Sequence, residues 1–218
     1  MIPLRDVIPS RTTPYITVTI IILNALAWFY ELALPRDVLP LFLQFYGVVP
    51  ADFTATTLVS SMFLHGSWSH IIGNMVFFWA FGPEIEDAMN PLRFSAFYLS
   101  GGLVAMLAQV VASPSSTVPN LGASGAIAAV MGAFLVTYPR DRMRSLLVIF
   151  IFVRVTFIPA ALLIVVWFLT QLLNAGAVAK VQTGGVAYLA HIGGCIFGAV
   201  TARWFEDPQR IAEQRWSE

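Results

Sequence analysis

Long apolar runs alternate with short polar or turn-forming segments along the whole chain. A run of about 20 apolar residues is long enough for a helix to cross the hydrocarbon core of a bilayer. This pattern predicts six membrane-spanning helices, the second being the shortest, with approximate limits at residues 15–34, 70–81, 92–112, 124–138, 158–173 and 186–204. The predicted fold class is therefore an all-α membrane protein built as a bundle of six transmembrane helices.

The segments outside these runs differ in character. Residues 35–69 are rich in aromatic side chains and poor in charge, which is typical of the membrane interface, so we predict a membrane-associated first loop. Residues 146–157 carry Arg154 ahead of Pro159, and we interpret them as an interfacial piece before the fifth helix. The chain then divides into tails at 1–14 and 206–218 and a six-span domain at 15–205.

The distribution of basic residues predicts the orientation of the bundle. Threading six spans leaves only Arg36 and Lys180 on one side of the bilayer. Most arginines fall on the other side, namely Arg5, Arg11, Arg93, Arg140, Arg142, Arg144, Arg203, Arg210 and Arg215. Because basic residues concentrate on the cytoplasmic side, both termini are predicted to be cytoplasmic, in a plasma or inner membrane.

Composition narrows the classes of partner and cofactor. Hydrophobic residues make up 58% of the 218 residues and charged residues only 11%, and the formal net charge is zero. A chain without excess positive charge lacks the basic surface that nucleic-acid binding needs, so no nucleic-acid partner is predicted. The single cysteine, Cys195, excludes an internal disulfide and a zinc site made of four cysteines. We interpret it as a small packing residue.

A few polar residues interrupt the apolar runs, and such residues are candidates for a functional site because their burial in lipid is costly. His70 and Asn74 are four residues apart and therefore lie on one helical face. Ser124 opens the fourth run and His191 lies early in the sixth, so all four are predicted near the outward side. Simpler interpretations remain open at this point: His70 and Asn74 as an interhelical hydrogen-bonded pair, and Ser124 as a helix N-cap.

Two rows of small residues favour a meeting of Ser124 and His191. In the fourth run Ser124 begins a row that continues every four residues, and in the sixth run Gly194 and Gly198 share a face with His191. Small residues at this spacing let two helices approach closely in lipid. If the rows face each other, a serine hydroxyl meets a histidine general base at one depth, and no acidic residue is available for a triad.

Three separated motifs resemble the signature of the rhomboid intramembrane serine proteases. They are HGSWSHIIGN at residues 65–74, GASG at residues 122–125 and AHIGG at residues 190–194, each at a different predicted span. The resemblance covers nearly the whole chain and implies a bundle of the rhomboid type. It also implies an endopeptidase that cuts single-pass transmembrane proteins within or next to their spanning segment. Protein substrates and membrane lipid are the partners implied, and no metal or organic cofactor is expected.

The resemblance assigns roles to individual residues. Ser124 is implied to be the nucleophile and His191 the general base, and an oxyanion hole is expected from His70, Asn74 and the Ser124 backbone N–H. The supporting residues implied are His65 under the first loop, Gly122 and Gly125 beside the serine, and Glu86, which is expected to hold down the turn after the second helix. Trp167 and Phe168 of the fifth helix, with the NAGAV loop, are implied to form the gate and cap.

The sequence departs from the family pattern at named positions. Ala128 stands where family members commonly carry an aromatic residue against the base, so a ring from elsewhere is expected to replace it. Asn90 stands where a glycine is usual. The departure at Ala128 keeps an alternative open, a catalytically impaired rhomboid-like protein that binds membrane proteins without cutting them. A histidine-based transporter is less favoured, because no acidic residue lies in the outward halves of the spans.

Overall fold

A computed structural model of the protein describes residues 1–8, 10–149, 152–178 and 187–215. Within these ranges the chain is mostly helical. The helices are α1 (Tyr15–Ala33), α2 (Leu39–Tyr46), α3 (Ala55–Ser60), α4 (Trp68–Met89), α5 (Pro91–Ala112), α6 (Ser124–Thr137), α7 (Ala160–Val178), α8 (Tyr188–Phe205) and α9 (Pro208–Arg215). Three strands accompany them: β1 (Ile2–Asp6), β2 (Arg142–Ile149) and β3 (Phe152–Pro159).

Helices α1, α4, α5, α6, α7 and α8 occupy the six positions where spans were predicted. Of the described helices, α1 and α5 are long and apolar enough to cross a membrane on length and hydropathy, and α6 and α7 provide shorter apolar stretches. The helices thus agree with the sequence pattern, while their arrangement as six spans of one bilayer stays a prediction. The expected NAGAV loop is a correction to this pattern, because residues 174–178 form the last turn of α7, and the rest of the expected cap falls on residues 179–186, which lie outside the described residues.

The predicted all-α fold is correct for most of the described residues but misses a sheet, because β1, β2 and β3 pair antiparallel in that order. Residues 142–145 alternate in burial: Met143 and Ser145 are fully buried, whereas Arg142 and Arg144 are exposed. A period of two is the pattern of a strand with one covered face. The apolar content of the β2–β3 hairpin led to its interpretation as an interfacial segment, and the pairing of β1 with β2 links residues too distant for local pattern to reveal.

Helix α6 lies at the centre of the bundle, and all its residues from Gly125 to Phe134 are buried. It packs most extensively against α8, through glycines that leave no room for a side chain. A Cβ at Gly194 would collide with the Gly125 carbonyl oxygen, and one at Gly198 with the Ala129 carbonyl oxygen. The predicted facing of the two small-residue rows is thereby confirmed, with α6 and α8 parallel.

Charged side chains gather at the end of the bundle where α4, α6 and α8 finish. The Asp87 carboxylate, 1% exposed, contacts Arg11 Nε at 3.3 Å and Arg210 Nη1 at 3.6 Å. The Arg203 guanidinium contacts Glu206 at 2.9 Å, and Glu206 also accepts a hydrogen bond from Thr137. These contacts hold the ends of the helices and the α9 segment together.

Glu86 lies at the same end but acts on a different element from the one expected. Its carboxylate accepts hydrogen bonds from the backbone N–H groups of Ile16 at 2.9 Å and Thr17 at 2.8 Å, and from the Thr17 hydroxyl at 2.8 Å. A carboxylate at a helix N-terminus accepts hydrogen bonds from free N–H groups and interacts favourably with the positive end of the helix dipole. Glu86 therefore caps α1, rather than holding down the turn that follows α4.

That turn is formed by Asn90, which has a positive φ of 65° between α4 and α5. The value explains why a glycine is usual there, since residues with a side chain seldom adopt positive φ. Side-chain bonds compensate: Asn90 Oδ1 accepts from the Arg93 N–H, and its Nδ2 donates to Asp207. The latter hydrogen bond lowers the pKa of Asp207 below its ordinary value.

Candidate active site

Ser124 is the first residue of α6 and follows a sharply turned backbone. Gly122 has a φ of 116°, a conformation that favours glycine, and its N–H donates to the Ser61 carbonyl oxygen at 2.8 Å. The turn ends the loop from α5 and starts α6 at the serine. Because the first N–H groups of a helix have no partner within the helix, Ser124 lies beside backbone donors and the positive end of a helix dipole.

His191 contacts Ser124 directly. The imidazole Nε2 lies 2.7 Å from Ser124 Oγ, although the residues are 67 positions apart. The close approach of α6 and α8 at Gly125 and Gly194 brings the first turns of both helices together. The two residues that sequence spacing predicted to meet therefore lie within hydrogen-bonding distance, with His191 only 7% exposed.

Gln171 of α7 completes a chain of three polar side chains. Its Oε1 lies 2.8 Å from His191 Nδ1, and its Nε2 donates to the Trp167 carbonyl oxygen at 3.3 Å and to the Thr170 hydroxyl at 3.1 Å. Gln171 was absent from the predicted site. The signal was present, however, because an amide inside an apolar run meets the criterion that selected Asn74.

Two aromatic rings lie against His191 in place of the ring missing at Ala128. The Trp167 ring centroid is 5.7 Å from that of His191 with an interplanar angle of 38°, and the Tyr188 ring is edge-on at 6.5 Å. Ala128 itself is fully buried in the contact of α6 with α8, and its Cβ lies close to Gly194. The expectation that a ring from elsewhere packs on His191 is confirmed by the positions of these two rings.

His70 and Asn74 lie beside Gly122, two residues before the serine. A Cβ placed on Gly122 would be 2.6 Å from His70 Nε2 and 3.4 Å from Asn74 Nδ2. The absence of a side chain at Gly122 therefore leaves space between these nitrogen atoms and the backbone that leads into Ser124. The His70 N–H donates the N-cap hydrogen bond to Ser67 Oγ at 3.2 Å, which starts α4 just before these two residues.

His65 is a hydrogen-bond partner of Asn74. The His65 Nε2 and Asn74 Nδ2 atoms are 2.9 Å apart, and the rings of His65 and His70 pack edge to face at 5.0 Å. The backbone N–H of His65 donates to the Glu31 carboxylate at 3.1 Å, which anchors this loop to the end of α1. Glu31 corrects the expectation that no acidic residue lies in the outward halves of the spans, because it is buried in the last turn of α1, beside the site.

The remaining predicted residues, Gly125 and Glu86, make contacts away from the Ser124–His191 pair. Gly125 allows α5 to approach α6, because a Cβ there would lie 2.6 Å from the Ala105 Cβ, and Glu86 lies at the opposite end of α4. Among the described residues no group of three His, Cys, Asp or Glu side chains is placed to hold a metal ion. The described site thus combines the Ser124 hydroxyl, the imidazoles of His65, His70 and His191, and the amides of Asn74 and Gln171.

The Rhomboid domain family matches residues 52–206, a region that includes every site residue above except Glu31. The chain belongs to the rhomboid family. Members of this family are membrane-embedded proteins and are generally intramembrane proteases, and some rhomboid-like members are inactive.

Individual relatives agree with the family assignment. Rhomboid protein 1, mitochondrial, of Saccharomyces cerevisiae is 26% identical over 165 residues, which is 73% of this chain and 45% of the yeast protein. Presenilin-associated rhomboid-like protein, mitochondrial, of Rattus norvegicus is 30% identical over 150 residues, which is 65% of this chain and 36% of the rat protein. This rhomboid chain spans less than half the length of these relatives.

Proposed function

We propose that this protein is an intramembrane serine endopeptidase in which Ser124 is the nucleophile and His191 the general base. The observation that carries the proposal is the 2.7 Å contact between Ser124 Oγ and His191 Nε2 at the start of α6. A serine alone is a weak nucleophile at neutral pH, and a neighbouring imidazole activates it by accepting its proton. Membership of a family of membrane-embedded proteins supports transmembrane segments as the substrates.

The reaction follows from the positions of three atoms. Ser124 Oγ attacks the scissile carbonyl carbon while its proton passes to His191 Nε2. The carbon–nitrogen bond of the tetrahedral intermediate then breaks, and the imidazolium returns the proton to the leaving amine. A water molecule attacks the acyl ester in the same way, giving up a proton to His191, and release of the carboxylic product restores the Ser124 hydroxyl.

The oxyanion of the intermediate needs hydrogen-bond donors in place before it forms. We assign this role to the His70 imidazole, the Asn74 amide and the Ser124 backbone N–H. The proposal is supported by the positions of His70 Nε2 and Asn74 Nδ2 beside Gly122, two residues before the nucleophile. His65, Gly122 and Gly125 act as supports for this arrangement.

The membrane arrangement belongs to the same proposal. Six spans with both termini cytoplasmic place the site near the outer surface of a plasma or inner membrane, and the arginine distribution supports this orientation. The yeast and rat relatives carry the word mitochondrial in their names, which describes those proteins. Helix α7 with Trp167 and Phe168 is assigned as the side on which a substrate helix enters.

The test is cleavage of a labelled single-pass protein in liposomes by purified protein. Ser124→Ala removes the nucleophile, and we expect cleavage to fall by at least about a thousandfold, the scale on which loss of a catalytic serine acts. Ser115→Ala, the same substitution at an exposed serine of the loop before α6, serves as the control and retains full activity. Cleavage that persists in Ser124→Ala contradicts the proposal, and a folded wild-type protein that binds but never cuts the substrate favours the impaired, binding-only alternative.

A further inference from the structure

We propose that Gln171 is a positioning residue that fixes the tautomer of His191, taking the place that a carboxylate has in a catalytic triad. The inference rests on the proposed function, because it concerns the base of the same reaction. It starts from the contact of 2.8 Å between Gln171 Oε1 and His191 Nδ1, both groups being buried with 7% of each residue exposed.

The orientation of the Gln171 amide is determined by its other partners. A backbone carbonyl oxygen can only accept a hydrogen bond, so the amide group that faces the Trp167 oxygen is the NH₂ group. The Thr170 hydroxyl donates its own hydrogen to the same Trp167 oxygen at 2.6 Å, and therefore offers the Gln171 NH₂ group an acceptor. Rotating the amide by half a turn would set Gln171 Oε1 against two acceptors.

An amide in this orientation specifies where the imidazole proton lies. Gln171 Oε1 has no hydrogen to donate, so the bond to His191 Nδ1 forms only if Nδ1 carries the proton. In the neutral ring Nε2 is then the acceptor, and Nε2 is the atom 2.7 Å from Ser124 Oγ. The buried Gln171 therefore selects the one neutral tautomer that can remove the serine proton.

The same helix supplies the ring that packs on the base. Trp167 lies one turn before Gln171 on α7, and its ring is tilted against the imidazole. The opposite face of α7 carries exposed leucines, Leu169 at 50% and Leu173 at 75% exposure. Helix α7 thus fixes both the tautomer and the ring orientation of His191. The ability of His191 to act as a general base therefore depends on the packing of α7 against α8.

The direct test is ring-nitrogen NMR on protein labelled with ¹⁵N-histidine, which is practicable because the chain has three histidines. In the wild-type protein we expect the proton of neutral His191 on Nδ1. In Gln171→Leu, which retains the bulk of the side chain without its acceptor, we expect a mixture of tautomers. Gln109→Leu in α5 is the matched control and leaves the His191 signals unchanged. A wild-type proton on Nε2, or a tautomer unaffected by Gln171→Leu, overturns the inference.

Kinetics separates this inference from the proposed function. Gln171→Leu is expected to lower kcat about 10-fold with KM unchanged, as for loss of one hydrogen bond to the base. Gln171→Glu retains an acceptor for Nδ1–H but loses the donor to the Trp167 oxygen, so we expect a kcat above that of Gln171→Leu and below that of the wild-type protein. The acidic limb of its pH profile should move to higher pH, because a carboxylate favours the imidazolium. If the wild-type protein cleaves through Ser124 and Gln171→Leu retains full kcat, the role of Gln171 is refuted and the proposed function stands. If the wild-type protein shows no cleavage that depends on Ser124, the proposed function itself is refuted.

Discussion

Helix α4 has two ends with opposite chemistry. At its start, His70 and Asn74 are held by uncharged contacts with other neutral groups, the Ser67 hydroxyl and the His65 imidazole. At its finish, Asp87 is ion-paired with two arginines and Glu86 caps α1. The same division extends to α6 and α8, which carry Ser124 and His191 in their first turns and finish beside Glu206.

The difference teaches where this fold keeps its ion pairs, since the buried Glu31 carboxylate near the site contacts a backbone N–H of His65 instead. A charge near the site would bias the protonation of the base and would be costly to bury, whereas a chain of hydroxyl, imidazole and amide groups transfers a proton between neutral partners. At the other end, buried carboxylates with arginine partners fix helix ends and terminal segments. The comparison predicts that substitutions at the start of α4 affect catalysis and that substitutions at its finish affect stability.

The largest effect is expected from Asn74→Ala at the start of α4. If Asn74 Nδ2 donates to the oxyanion, its removal should lower kcat by about 10²-fold, as observed in general for loss of one oxyanion donor. The melting temperature should also fall, because the buried His65 imidazole loses its hydrogen bond from Asn74, so kcat is measured at a temperature where the variant is folded. Gly73→Ala is the neighbouring control, since a methyl there meets no atom within 4 Å. Equal loss of activity in both variants would show that the effect is not specific to the amide.

Asp87→Asn at the finish of α4 is expected to act in the opposite way. The substitution weakens the contacts with Arg11, Thr12 and Arg210, and we expect a loss of about 1–3 kcal/mol in unfolding free energy. The kcat of the folded protein should stay within about twofold. Glu213→Gln, which removes a partner of Arg11 at 70% exposure, is expected to cost less than about 0.5 kcal/mol. A large fall in kcat for Asp87→Asn would break the division between the two ends.

A separate effect is expected in the dependence of stability on pH. Burial, together with the nearby Asp141, raises the pKa of Asp6 in β1 to about 7 from its ordinary value of 3.8. Because the folded protein then retains a proton that the unfolded chain releases, stability should fall as pH rises from about 4 to about 7. Thermal unfolding in detergent should show this slope, and Asp6→Asn should reduce it. Asp37→Asn, at an exposed aspartate, should leave the slope as in the wild-type protein, and an Asp6→Asn protein with an unaltered slope would contradict the assignment.

Sequence pattern was sufficient for the helices and for part of the site. Apolar runs of helical length mark the positions of α1, α4, α5, α6, α7 and α8, and the spacing of small residues predicted the contact between Ser124 and His191. The sheet was missed because an apolar hairpin and an interfacial helix have similar composition. The remaining strand of the sheet, β1, pairs with residues more than 130 positions away in the sequence.

Long-range hydrogen bonds account for the other omissions. Gln171 was hidden among apolar neighbours, and its meaning depends on which way its amide points, which no periodicity encodes. Glu31 and Glu86 act on backbone N–H groups of other segments, so their partners are not residue types that a motif can specify. Asn90 could be placed in a turn from its departure from the family glycine, but not its bond to Asp207.

The most direct measurement of the central claim is labelling with a fluorophosphonate probe followed by mass spectrometry of the modified peptide. Such a probe reacts with a serine whose hydroxyl is activated by a base. We expect a single adduct on Ser124, and a labelling rate at least about 100-fold lower in His191→Ala. A folded protein that remains unlabelled, or that is labelled at another serine with the same rate in His191→Ala, would contradict the assignment of Ser124 and His191 as the catalytic pair.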